Sequence, residues 1–377
     1  MTRPPTALGL AQAPVPTASQ QMLEQLRAAT CAQFGWDNPE TLALQQIMQG
    51  GSDRSFYRVL HRNGASAEGD KAAGFILVRY TDERPENAFY APMAGFLARA
   101  GVRGPSVLAH DAAARLIWME DLGAADIYAL RHLPWAEREP FYRTALREVR
   151  RLHAALPALE AEAMATMEPF SPSLYAWEHD YFLQRFVGEV CGLEPDRSAQ
   201  SPLGKELTEL GERLSSAPAG LVHRDFQSQN VMICRDQACL IDFQGMRRGT
   251  PAYDLGSLLY DPYVEIPHAE RVKLVDYYHG LTPQGEETSA CAPASASEAA
   301  SARHELFHEA ACQRLMQALG AYGFLSLHKG KPQFLRHIAP ALNNISLALR
   351  GAPRLAQVRQ LVAQCAAIQG VDLERVP

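Results

Sequence analysis

Residues 221–260 read LVHRDFQSQNVMICRDQACLIDFQGMRRGTPAYDLGSLLY. Three polar positions stand out: Asp225 within His223-Arg224-Asp225, Asn230 five positions later, and Asp242 in Asp242-Phe243. Between the last two lie Val231-Met232-Ile233-Cys234 and Ala238-Cys239-Leu240-Ile241, separated by Arg235-Asp236-Gln237. Two short apolar runs around a polar turn predict a β-hairpin. Such a hairpin carries Asn230 and Asp242 to the same end of two adjacent strands, so distance along the chain becomes proximity.

The spacing H-R-D-x-x-x-x-N followed by a second Asp suits phosphoryl transfer. That chemistry needs an attacking hydroxyl aimed at phosphorus and a cation to neutralise the phosphates. Asp225 is the candidate base. Asn230, a neutral oxygen ligand, and Asp242, an anionic one, are candidates to hold Mg²⁺, a hard cation that prefers oxygen. An ordinary charged turn would not place three such positions around a hairpin.

On these residues the chain resembles the aminoglycoside phosphotransferase/choline kinase superfamily, which shares the protein-kinase fold. Within it, HRDFQSQNVM and IDFQGMRRGTPAYDLGSLLYDPYV are most similar to bacterial anomeric kinases of N-acetylmuramate and N-acetylglucosamine. Gln244 in place of the usual Gly, and Pro251-x-Tyr253-Asp254-Leu255-x-Ser257-Leu258-Leu259, fit that subgroup. The resemblance implies a two-lobed α+β fold with a small antiparallel-sheet lobe and a large, mainly helical lobe. It also implies ATP or GTP as phosphoryl donor.

Composition agrees with an enzyme of this size. A chain of 377 residues, 47% hydrophobic, can bury a large core and suggests two lobes. A net charge of −6 with mixed signs argues against a dedicated nucleic-acid partner. The seven cysteines are scattered, without C-x-x-C, and suit reduced thiols in a cytosol. Cys234 and Cys239 flank the hairpin turn and read as core residues or, less simply, as metal ligands. No apolar run has membrane length and no signal-peptide block opens the chain, so a cytoplasmic monomer is expected.

Residues 1–18, rich in Pro, Ala and Thr, predict a disordered segment, with the small lobe over 19–121. Ser19 predicts the cap of a helix to Phe34. Gly50-Gly51-Ser52-Asp53-Arg54 precedes a strand and reads either as a simple turn or as the loop covering a nucleotide's phosphates. Ser52, Asp53 and Arg54 are the nucleotide candidates there. Phe75–Tyr80 is the strand that carries a phosphate-binding Lys in protein kinases, and here it has none. Arg79 stands near that position, with Glu83 or Glu86 as possible partners, or else points into solvent. Glu120-Asp121-Leu122-Gly123 fits an inter-lobe hinge, with Glu120 and Leu122 beside adenine, or an acidic turn opening a helix at Asp126.

Beyond residue 122 the sequence predicts helices over 134–156, 169–191, 206–214, 305–327, 332–349 and 353–369. His153 suits a helix C-terminus. The 169–191 segment mixes aromatic and acidic residues, either as a sugar site with Glu178 as acceptor ligand or as an aromatic core helix. Arg224 and Gln227, beside Asp225, are further acceptor candidates. Asp254 and His223 read as structural supports for the loop. Arg247 and Arg248 fit contacts to phosphate or an acidic sugar, or a solvated turn. Residues 282–301, an Ala/Ser/Glu/Pro tract, predict a mobile insertion.

The function expected is therefore Mg²⁺-dependent phosphorylation of a sugar's anomeric hydroxyl. The alternatives are an aminoglycoside kinase, or a non-catalytic nucleotide-binding protein suggested by the missing Lys.

Overall fold

Alternation along short strands builds the smaller of two units. The computed structural model describes residues 19–47, 54–61, 74–288 and 296–373. They separate into one unit of residues up to 87 plus 106–121, and another of 88–105 plus 122 onward. In the first, β1 (Leu42–Ile47), β2 (Ser55–His61), β3 (Phe75–Arg79), β4 (Val107–Asp111) and β5 (Leu116–Glu120) form an antiparallel sheet ordered β1-β2-β3-β5-β4.

Period-two spacing puts Tyr57 and Val59, Phe75 and Leu77, and Leu116 and Trp118 on one face of this sheet. That face packs with Leu26 and Cys31 of α1 (Gln20–Phe34). Ser19 caps α1 by accepting the Met22 amide at 3.2 Å, and Gly35 ends it in the left-handed region at φ 68°. Trp118 Nε1 donates to Thr30 Oγ1 at 3.0 Å, which fixes α1 on β5. Arg58 grips Asp121 with two bonds, Nε to Oδ2 at 2.5 Å and Nη2 to Oδ1 at 3.0 Å, at the end of the sheet.

Residues 88–105, expected in the smaller lobe, belong with the larger unit. Tyr90, the first residue of α2 (Tyr90–Arg99), stacks on Phe243 at 4.7 Å. Farther on, Leu240 N donates to Arg103 O at 2.8 Å, and Arg103 N to Glu148 at 3.1 Å. These bonds to the hairpin and to Glu148 decide the affiliation.

The larger unit continues through α3 (Trp135–Ala154), α4 (Leu156–Ala161), α5 (Pro172–Phe182) and α6 (Pro202–Ser216). Two small β-ladders follow. β6 (Gly220–Val222) pairs with β9 (Arg247–Gly249), and β7 (Val231–Cys234) pairs with β8 (Gln237–Leu240). The β7–β8 turn is Arg235-Asp236, both left-handed at φ 51° and 58°. Two consecutive left-handed residues match the right-handed twist of a two-residue hairpin. Gln237, expected in the turn, is the first residue of β8.

Helices α7 (Pro251–Leu259), α8 (His268–His279), α9 (Ala296–His328), α10 (Ile338–Arg350) and α11 (Ala356–Ile368) complete the unit. No helix opens at Asp126. Its carboxylate accepts the Ala129 amide in a turn, and its backbone bridges to Met232 on the hairpin. Of the tract expected as a mobile insertion over 282–301, residues 282–288 form a turn closed by Thr282 N to Glu286 O and 296–301 begin α9, while 289–295 lie outside the described residues. The segment 1–18, expected to be disordered, lies outside the described residues. No described helix is long and apolar enough to cross a membrane.

The 33-residue α9 is the spine, against which α5, α7 and α10 pack. At its crossing with α7, a Cβ on Gly256 would lie 2.7 Å from Ala311 Cα and 2.9 Å from its N. Both neighbours are backbone, so a helix must move. Gly256→Ala should cost about 1–3 kcal/mol, read as a lower urea midpoint.

Burial also sets a pH dependence. His179 and His308 are each pushed down to about 4, chiefly because burial disfavours the charged ring. Unfolded rings take protons near 6.5. Stability from these groups is therefore full above about 6.5 and lost as pH falls toward 4, where the unfolded chain binds more protons. Denaturant midpoints at pH 7.5 and 4.5 should show the drop; an unchanged midpoint would mean the rings charge in place.

Candidate active site

The loop after β6 is held by one buried carboxylate. Asp254, in the first turn of α7, accepts the backbone N–H of His223 at 2.6 Å and of Arg224 at 2.9 Å. Its Oδ2 also takes His153 Nε2 at 2.9 Å, and His153 Nδ1 lies 2.7 Å from the Tyr278 hydroxyl. Arg224 sits in the left-handed region at φ 76°, costly for a residue with a side chain. Two amide bonds to a fully buried carboxylate offset that cost. His223 Nε2 donates to Ile241 O at 2.9 Å, which ties the loop to the residue before Asp242.

Asp225 follows this strained turn with its side chain 33% exposed. Arg314 Nη2 lies 3.5 Å from Asp225 Oδ1, and Arg224 Nη1 lies 3.7 Å from Oδ2. Asn230 is coupled to Asp225 directly, its Nδ2 donating to the Asp225 backbone oxygen at 2.8 Å. A carbonyl can only accept, so the amide orientation is settled. Asn230 Oδ1 is thereby the atom left over as an oxygen donor. Asn230 O accepts Ile241 N at 3.1 Å, so the residue preceding Asp242 is bonded to Asn230. Asp242 itself is left-handed at φ 64°, and its Oδ1 accepts Gln244 Nε2 at 2.9 Å. Gln244 thus steadies the acid.

Further residues hold the loop from outside the local sequence. Buried Asp261 accepts the amides of Ser228 at 2.8 Å and Tyr263 at 2.9 Å. Burial raises the Asp261 carboxyl's pKa, against those same hydrogen bonds. Gln227 N donates to Asp225 O at 2.9 Å, so Gln227 belongs to the loop's backbone frame.

Glu178 is 3% exposed and its two oxygens are engaged: Tyr253 donates to Oε1 at 3.2 Å and Gln313 Nε2 to Oε2 at 3.0 Å. Gln313 Oε1 in turn accepts His179 Nε2 at 2.6 Å. Burial raises the Glu178 pKa, while Gln313, Arg224, Arg314 and Tyr253 pull it back. Of the two readings of 169–191, these contacts describe a buried support carrying Tyr253 rather than a surface ligand.

The nucleotide candidates are spread over both units. Ser52 and Asp53 lie outside the described residues. In the smaller unit, Arg54 stacks its guanidinium 5.4 Å from the Phe56 ring centre. Arg79 is exposed at the end of β3, its Nη1 3.7 Å from Met22 Sδ. Neither Glu83 nor Glu86 pairs with it, so the proposed substitute for the Lys–Glu pair is not formed. Glu120 Oε2 accepts the Ser106 amide at 3.2 Å. Leu122, half-buried, opens the larger unit.

Arg314 and Gln313 escaped the reading of the sequence, and His153, expected only to suit a helix C-terminus, also bonds Asp254. Arg314 lies in α9, 89 residues beyond Asp225. No local spacing marks it, because only the crossing of α9 over α7 brings it there. Among the described residues no three His, Cys, Asp or Glu side chains form a metal cluster.

The chain resembles known proteins in sequence and in fold. The profile of the phosphotransferase enzyme family matches residues 43–290. An N-acetylmuramate/N-acetylglucosamine kinase of Pseudomonas aeruginosa is 25% identical over 319 residues, covering 84% of this chain and 88% of that protein. Among solved structures, a Plasmodium vivax ethanolamine kinase shares the fold with a TM-score of 0.57 at 14% identity, over 88% of this chain and 91% of its own. An ADP-bound aminoglycoside phosphotransferase does so with a TM-score of 0.52 at 14% identity, over 88% and 98%.

Proposed function

Because the chain belongs to the phosphotransferase enzyme family and is a kinase of small-molecule hydroxyl groups, we propose that it phosphorylates the anomeric hydroxyl of N-acetylmuramate or N-acetylglucosamine. Asp225 is the base, and ATP or GTP is the donor. The observation that carries the chemical part is the Asn230–Asp225 bond, which fixes base and amide ligand as one unit. The choice of sugar is supported by the name of the Pseudomonas aeruginosa relative.

In this reading the acceptor oxygen forms a bond to the γ-phosphorus as the bond to the β,γ-bridging oxygen breaks. The hydroxyl proton passes to the Asp225 carboxylate, and the nucleoside diphosphate leaves. An anomeric hydroxyl is more acidic than an ordinary alcohol, so a carboxylate base suffices. Arg314 and Arg224, one at each Asp225 oxygen, orient the carboxylate. Asp254 and Asp261 hold the backbone on either side.

The residues present fit Mg²⁺. Asn230 Oδ1 receives no hydrogen bond among the described residues, because Nδ2 is committed to Asp225 O. Asp242 adds a carboxylate. With only these two protein oxygens, the rest of the shell would be phosphate and water oxygens, the usual habit of this ion. When bound, the cation neutralises charge on the phosphates.

The test is product analysis. Incubation with nucleotide, Mg²⁺ and either sugar should release nucleoside diphosphate and remove the reducing end in equal amounts. A phosphorylated product that keeps its reducing end would exclude the anomeric position. Turnover of aminoglycosides alone would replace the acceptor class, though Arg224, Arg247 and Arg314 make a poor setting for a polycation.

A further inference from the structure

We propose that Arg247 binds the carboxylate of an acidic amino-sugar acceptor and thereby sets a preference for N-acetylmuramate over N-acetylglucosamine. The proposal rests on the sugar-kinase reading above. Two adjacent arginines end up in opposite situations, and strand geometry is the cause. In β9, Arg247 pairs across the ladder with Val222, and Arg248 with Leu221. Successive side chains on a strand point to opposite faces. Arg248 goes outward and pairs with Glu160 at 2.7 Å, both half-exposed. Arg247 goes inward and is 5% exposed.

Inside, Arg247 has little to hold. Its Nε is 3.5 Å from Gly245 O, at the limit for a hydrogen bond, and its guanidinium lies 5.1 Å from the Phe170 ring centre. No carboxylate among the described residues is within ion-pair reach of it. A buried cation without an anion is expensive, and a planar fork of N–H donors is suited to a carboxylate. Its terminal nitrogens are not among the sealed, unpartnered polar atoms of the described residues, so they keep an opening to solvent. Burial, and then the neighbouring Arg224, lower its pKa, and the opposing pull of Tyr253, Glu178 and Asp225 only partly offsets them, a stress that a bound anion would relieve.

The position is next to the chemistry. Val222, opposite Arg247, immediately precedes His223-Arg224-Asp225. Gly245 lies between the two arginines: its carbonyl faces Arg247, and a Cβ on it would be 3.4 Å from Arg224 Nη1. Arg224 and Arg314 face Asp225 at 3.7 and 3.5 Å, whereas Arg247 makes no ion pair among the described residues and feels Asp225 and Glu178 only as more distant charges. Phe170, beneath Arg247, stacks on Tyr175 at 5.1 Å and leans on Tyr253 at 4.6 Å. The result is a cation on an aromatic wall beside the base. The two candidate sugars differ by an ether-linked carboxylate that only N-acetylmuramate carries, and that group matches the cation.

The experiment measures kcat/KM of the full-length enzyme for both sugars and for the neutral methyl ester of N-acetylmuramate. In Arg247→Met the N-acetylmuramate to N-acetylglucosamine ratio should fall roughly 10- to 100-fold, the worth of one charge-assisted contact. The ester on the unaltered enzyme should lose a similar factor, an arm that holds even where the variant fails to fold. An unchanged ratio with an undiminished ester would overturn the proposal while leaving the sugar-kinase reading intact. Equal losses for both sugars with a raised nucleotide KM would reassign Arg247 to the transferred phosphate, and overturn it too. An unaltered enzyme inert toward both sugars would remove the sugar-kinase reading and this inference together.

Discussion

Asp225→Asn should lower kcat by about 10²- to 10⁴-fold, the range for loss of a positioned base. The substitution keeps the shape of the side chain and removes only its charge and basicity. The bond that organises the loop is unaffected, because Asn230 donates to the backbone oxygen of residue 225 and not to its carboxylate. Asp254 still holds the two preceding amides. The thermal midpoint and nucleotide affinity should therefore stay close to those of the parent enzyme. Coupled-assay turnover and nucleotide titration on the same preparation separate the two effects. A variant keeping more than about a tenth of the parent kcat would remove Asp225 from the role of base.

The largest expected loss of stability is at Asp254. Asp254→Ala strips the acceptor from three buried donors: the amides of His223 and Arg224 and the Nε2 of His153. Removing one partner from a buried charged network costs about 3–5 kcal/mol. The left-handed conformation of Arg224 also loses what sustains it. Unfolding by urea should show the drop, with kcat falling in whatever fraction stays folded. Asp254→Asn offers a finer comparison. Its amide retains one acceptor oxygen but turns an NH₂ toward a donor, so it should lie between the parent and the alanine variant. Parent-like stability in the alanine variant would mean that water replaces the carboxylate and that Asp254 does not organise the loop.

Much of the fold was legible before any coordinates. The hairpin of Val231–Cys234 and Gln237–Leu240 and the helix capped by Ser19 follow from alternation, caps and turn chemistry, while the antiparallel sheet of the smaller unit is implied by the family resemblance. The hairpin and the helix depend on neighbours within a few positions, so each is written locally. The loop residues Asp225, Asn230 and Asp242 could be singled out for the same reason, since one hairpin suffices to relate them. Packing between distant helices decided the rest. That Asp254 caps two amides of the loop, that Arg314 arrives from α9, and that Glu178 is sealed under Tyr253 depend on crossings no spacing records. The fate of Arg247 and Arg248 shows the same limit on a smaller scale: a three-residue strand announces alternation but not which face is inside. Only the segment 167–170, α7 and the loop packed around β9 make one of two identical side chains a surface charge and the other a buried cation.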